Sequence, residues 1–168
     1  MKNLVLIGMM GCGKTTSGQM LKPILNLPMV DTDDLIVERE GMAISDIFAQ
    51  KGEGYFRELE TSLVRELSDL GGHIIATGGG LPLREENRAA LRENGVVFFL
   101  NRSPEEIYDC YDLSDRPLAQ QGRDAFIQRF RDRDPIYREA AHYVIDCVGD
   151  LGPTVEEILA IWKKETEE

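Results

Sequence analysis

The stretch Gly8-Met9-Met10-Gly11-Cys12-Gly13-Lys14-Thr15 constrains the fold more than any other part of this chain. It has the G-x-x-x-x-G-K-[ST] spacing of a phosphate-binding loop, and the apolar run Asn3-Leu4-Val5-Leu6-Ile7 leads straight into it. A short apolar run bounded in this way reads as a fully buried strand. Beyond the loop, residues 15–22 read as a helix that Pro23 ends. Strand, loop and helix in this order turn successive backbone N–H groups inward on phosphate oxygens, and the helix N-terminus adds partial positive charge. Gly11, Cys12, Gly13, Lys14, Thr15 and Thr16 are the expected triphosphate contacts. Lys14 reaches the β- and γ-phosphates, and the Thr15 hydroxyl ligates Mg²⁺. The plainer alternative is a glycine-rich connector that holds nothing.

Four further apolar runs read as strands, at residues 28–31, 73–77, 96–100 and 143–146, besides 4–8. Helical patterns fall between them, at 35–40, 44–50, 55–70, 84–93, 124–141 and 154–164. One more is opened by Ser103-Pro104-Glu105-Glu106, with Ser at the cap, Pro in the first turn and Glu three residues on. Pro135 predicts a break or kink that leaves Arg133 near an irregular end. Alternation of strand and helix implies an α/β fold, with a parallel sheet covered on both faces. At 168 residues the chain suits one domain.

Composition excludes some function classes. The net charge of −11 argues against nucleic acid as a partner. No apolar run approaches the ~20 residues of a membrane span, and the N-terminal stretch is too weakly apolar for a secretory signal. Cys12, Cys110 and Cys147 are odd in number and far apart, which suits a reducing cytoplasm. The cations are 13 Arg to 6 Lys, a mild bias toward the residue that grips carboxylates and phosphates two oxygens at a time.

Ligands of parallel α/β sheets bind beyond the carboxyl ends of the strands, and polar clusters sit at these ends. Asp31 and Asp33 follow the second strand. Asp31 is placed to hold a water of Mg²⁺ and Asp33 to orient or deprotonate an attacking hydroxyl; alternatively they cap the next helix, and one of them could do both. Gly78-Gly79-Gly80 follow the third strand and permit a ligand to approach bare backbone, or form a plain turn. Arg57 and Glu60 share a helical face; sequence physics alone favours a surface ion pair, the alternative being that Glu60 holds Arg57 against a substrate carboxylate. Arg129, Arg131, Arg133 and Arg138 read as a solvated, salt-bridged face. Residues 113–123 lack apolar periodicity and read as a movable lid carrying Arg116, or as a surface connector. His73 and His142 begin strands and read as structural.

With these residues in hand, the chain resembles the shikimate kinase family over nearly its whole length. The resemblance rests on GMMGCGKTT from Gly8, Asp31-Thr32-Asp33, Phe56-Arg57-x-x-Glu60, Gly78-Gly79-Gly80, Asp115-Arg116-Pro117-Leu118 and Arg133-Asp134-Pro135-Ile136-Tyr137-Arg138. It implies transfer of the ATP γ-phosphoryl to the 3-hydroxyl of shikimate, with Mg²⁺. It also implies a nucleoside-monophosphate-kinase-like fold: a five-stranded parallel sheet flanked by helices on both faces, with a mobile lid at about 112–123 and substrate-binding helices at about 32–62. By the same resemblance Arg57 and Arg133 grip the shikimate carboxylate, and Asp33 and the backbone around Gly78, Gly79 and Gly80 hold its hydroxyls. Asp33, Lys14 and Arg116 serve catalysis, Arg116 also closes over the phosphates, and Thr15 and Asp31 serve the metal. The chain is expected to act as a cytoplasmic monomer on ATP and shikimate, without nucleic acid or membrane. It departs from the family pattern at Asp109-Cys110 and Leu151, where basic residues near the adenine are usual. Related readings are a small-molecule kinase such as one for gluconate, or a regulatory ATPase.

Overall fold

The computed structural model describes residues 1–110 and 121–167. The order of elements is β1 (Asn3–Ile7), α1 (Lys14–Leu25), β2 (Met29–Asp31), α2 (Thr32–Glu40), α3 (Ile44–Lys51), α4 (Glu53–Leu70), β3 (Ile74–Ala76), a 3₁₀ turn at Leu81–Leu83, α5 (Glu85–Asn94), β4 (Gly95–Asn101), α6 (Pro104–Cys110), α7 (Arg123–Ala140), β5 (Tyr143–Asp146) and α8 (Gly152–Thr166). The five strands form one sheet in the order β2-β3-β1-β4-β5, and every pairing is parallel. The expected α/β architecture is therefore the observed one.

β1 sits at the centre, and its five residues are all buried. Leu4, Val5, Leu6 and Ile7 pack with Val97, Phe98, Phe99 and Leu100 of β4, which explains why both runs are continuously apolar rather than alternating. α1 packs beside α8, while α4, α5 and α7 follow one another in contact. Because all strands run the same way, the ends of β1, β2 and β3 bring the phosphate loop, Asp31–Asp33 and Gly78–Gly80 to one edge.

Two prolines behave differently from expectation. α1 does not end at Pro23 but continues to Leu25, and Asn26 closes it in the left-handed conformation with φ 52°. Pro23 forfeits only the bond to the carbonyl of Gln19, and Gln19 is exposed, so water can take the place of that bond. α7 likewise runs through Pro135 without interruption. Its inner face buries Phe126, Ile127, Arg133, Tyr137 and Ala140, while Arg131, whose carbonyl loses its partner to Pro135, is solvent-exposed. Packing on one face and water on the other let the helix continue through the proline. Arg133 thus lies mid-helix on the buried face, not at an irregular end or on a solvated surface. The Ser103 cap forms as read, its hydroxyl accepting from the Glu106 N–H at 3.3 Å.

Candidate active site

The phosphate loop owes its shape to glycines at Gly8 (φ 146°) and Gly13 (φ 105°), a region that side chains disfavour. Space is also short: a Cβ on Gly8 would stand 2.8 Å from the Leu100 carbonyl, and one on Gly13 would stand 2.8 Å from Leu151 Cδ2. Lys14 is buried, and its ammonium donates to the carbonyls of Gly8 at 2.6 Å and Met9 at 3.0 Å, so the loop's own backbone fixes its charge over the loop. Thr15, in the first turn of α1, donates its hydroxyl to Asp31 Oδ2 at 2.5 Å. The other oxygen of Asp31 accepts the Asp34 N–H at 3.1 Å. Asp31 therefore caps α2 and grips Thr15 at once. This pair supplies the hard oxygen donors that a small divalent cation prefers. Among the described residues no group of three or more His, Cys, Asp or Glu forms a cage, so an ion fitting here would share its coordination with triphosphate oxygens and water.

A second group assembles around the three glycines. A Cβ on Gly78 would stand 3.0 Å from Cγ of Asp33, one on Gly80 would stand 2.7 Å from Cζ of Arg57, and one on Gly79 would stand 3.4 Å from Nη1 of Arg133. The same Gly79 position lies 3.5 Å from the Met10 amide nitrogen. The glycine turn is thus shared by Asp33, Arg57, Arg133 and the phosphate loop. None of the three glycines has a positive φ, so closeness of approach rather than backbone conformation requires them. The Gly78 N–H is itself tied to the buried Thr32 hydroxyl at 2.8 Å.

Arg57 and Glu60 are not a surface pair. Glu60 is 1% exposed and accepts from Arg57 Nη1 at 2.6 Å. Burial pushes the Glu60 carboxyl up to about 7, an effect that Arg57 opposes and Asp33 reinforces. Arg133 is 4% exposed, and its Nη1 has no hydrogen-bond partner among the described residues. A buried donor without an acceptor is costly, and a carboxylate is the partner that a guanidinium fork fits best.

Residues 10–161 match the family model for shikimate kinase. The chain belongs to the shikimate kinase family. It is an ATP-using kinase, and kinases of this family generally need a divalent metal ion. It is 39% identical to a shikimate kinase of Clostridium botulinum (strain Alaska E43 / Type E3) over 162 residues, 96% of this chain and 98% of that one. It is 45% identical to one from Paracidovorax citrulli over 146 residues, 83% and 79% of the two chains. The shikimate kinase of Acinetobacter baumannii in complex with shikimate superposes with a TM-score of 0.88 at 34% identity, covering 100% of this chain and 96% of that one. A gluconokinase from Sinorhizobium meliloti, at 16% identity and a TM-score of 0.59, shares the fold alone.

Of the residues expected in a shikimate kinase site, the structure groups Lys14, Thr15 and Asp31, and groups Asp33, Arg57 and Arg133 around Gly78–Gly80. Arg116 and residues 112–120 of the expected lid lie outside the described residues. Sequence reasoning gave no role to Thr32, Tyr137 or Arg102. Tyr137 stands four residues after Arg133 on the same helix, a spacing that could have drawn it in. Nothing in the sequence marks Arg102 as buried.

Proposed function

We propose that the chain transfers the γ-phosphoryl group of Mg²⁺-ATP to the 3-hydroxyl of shikimate, at the edge where the phosphate loop meets the glycine turn. The observation that carries this reading is the convergence of Asp33, Arg57 and Arg133 on Gly78–Gly80, within contact distance of Met10. An acceptor held there lies beside the triphosphate.

Phosphoryl transfer asks little covalent chemistry of a protein, so positioning and charge neutralisation supply most of the catalysis. Arg57 and Arg133 hold the acceptor's carboxylate, the first kept in place by Glu60. Asp33 orients the attacking hydroxyl and takes its proton. Gly78, Gly79 and Gly80 let the ring approach bare backbone. Gly11, Cys12, Gly13 and Thr16 offer backbone N–H groups to the phosphates, and Lys14 adds its charge. Mg²⁺, when bound, neutralises charge on the phosphate oxygens, and Thr15 and Asp31 are the groups that would hold it. Arg116 is assigned to the phosphates by its motif alone. The chain works as a single kinase domain and a cytoplasmic monomer, with acceptor contacts concentrated in 32–62 and the lid in 112–123.

The test is an assay of ADP release by the purified protein with Mg-ATP and a panel of acceptor alcohols. Shikimate is expected to give turnover and shikimate 3-phosphate. Release with gluconate and none with shikimate would overturn the reading.

A further inference from the structure

Arg102 follows β4 directly and is the bulkiest fully buried side chain among the described residues, at 1% exposure. Taking a guanidinium out of water costs several kcal/mol even when it is paired. Its hydrogen bonds reach three separate segments. Nη1 donates to Glu106 of α6 at 2.7 Å, Nη2 to the Gly149 carbonyl at 3.0 Å, and Nε, more weakly, to the Cys12 carbonyl at 3.4 Å. Cys12 belongs to the phosphate loop, and Gly149 to the turn between β5 and α8.

That turn is already part of the loop's surroundings, because Leu151 fills the space against Gly13. Leu151 is apolar and offers no hydrogen bond to anchor the loop. Arg102 therefore stands behind the phosphate loop as a planar fork joining its backbone to the neighbouring turn. A lysine has no such fork and cannot reach two carbonyls and a carboxylate in fixed directions.

We propose that Arg102 is a positioning residue for the nucleotide. It sets the spacing between the phosphate loop and the 147–151 turn, and so shapes the edge that receives ATP. This inference rests on the reading above only in placing ATP at the phosphate loop. Wild-type ADP affinity, measured first, tests that reading separately.

The experiment is calorimetric titration of Arg102→Lys and Arg102→Met with ADP alone and with shikimate alone, with circular dichroism confirming the fold. ADP affinity is expected to fall at least tenfold in each, with shikimate affinity within twofold of wild type. Arg102→Lys keeps the charge, so its loss would report geometry. A folded variant whose ADP affinity stays within twofold, or one that weakens both ligands equally as a general structural defect would, overturns the proposal. If neither variant folds, Glu106→Ala decides, since Glu106 is partly exposed and its removal takes away one hydrogen-bond partner of Arg102. Its ADP affinity is then expected to fall at least threefold with shikimate unaffected; unchanged ADP affinity overturns the proposal.

Discussion

The Tyr137 hydroxyl donates to the Gly79 carbonyl at 2.6 Å from an almost wholly enclosed position, with Met9 Sδ 3.8 Å away and its ring 5.2 Å from that of Phe99. One side chain of α7 thereby bolts the glycine turn to the wall of the phosphate loop. Burial pushes the phenol up to about 12, so it remains a donor across the working pH range. Tyr137→Phe removes the hydroxyl and leaves the ring. Its expected cost is about 1 kcal/mol of stability, as for a typical buried hydrogen bond. Because Gly79 is released, KM for shikimate should rise several-fold while KM for ATP stays near wild type. Steady-state kinetics with each substrate varied in turn checks the split.

The three glycines make a ranked prediction, because their neighbours differ. An alanine methyl at Gly80 would occupy the Arg57 guanidinium position, and one at Gly78 would press on the Asp33 carboxylate. Both obstacles are ends of side chains, so the fold should yield while the site loses its geometry. At Gly79 the nearest neighbour is Nη1 of Arg133 at 3.4 Å, a much milder crowding. Gly80→Ala and Gly78→Ala are therefore expected to raise KM for shikimate tenfold or more with Tm little changed, and Gly79→Ala to do less. Thermal unfolding and kinetics on the three variants test the order.

Much of this was legible in the sequence, for identifiable reasons. The phosphate loop and the apolar strands announce themselves because local backbone geometry and two-sided burial restrict residue choice. The convergence of Asp31 and Gly78–Gly80 follows from all strands running parallel. By charge pattern alone Arg57 and Arg133 look like surface groups, and only the family resemblance implies a place for them in the site. Spacing shows which residues share a helix face but not what covers that face. Pro23 and Pro135 misled for a related reason: each removes one hydrogen bond, and tertiary packing or solvent compensates. Arg102 was invisible because its burial depends on two segments distant in sequence, at Cys12 and Gly149, besides Glu106 four residues on.

Thr15 and Asp31 predict how the enzyme meets its metal. The Thr15 hydroxyl donates to Asp31 at 2.5 Å, so the carboxylate orients the oxygen that we propose faces the cation. Asp31→Asn keeps the shape and part of the α2 cap but removes the negative charge. The Mg²⁺ concentration giving half-maximal rate should rise about tenfold, with activity largely recovered at saturating Mg²⁺. Thr15→Ala should not recover in this way, because on the proposed function it removes a ligand rather than its support. A magnesium titration at fixed ATP separates the two outcomes.

Glu60 gives the fold a pH dependence of unusual sign for a carboxylate. In the unfolded chain it loses its proton near 4.5, whereas in the folded protein burial holds the proton to about 7 despite Arg57 at 2.6 Å. Between these values the folded state carries a proton that the unfolded state has released, so this group's contribution to stability falls as pH rises. It is largest below about 4.5 and flat above about 8. Asp33 opposes ionisation, while Arg57 and Arg133 favour it, so the position of the fall reports their balance. Glu60→Gln cannot titrate. The Tm of wild type minus that of Glu60→Gln should decline steadily from pH 4.5 to 7 and then level off. A difference that stays constant through this interval would mean that Arg57 keeps Glu60 ionised throughout, and that attraction rather than burial governs the pair.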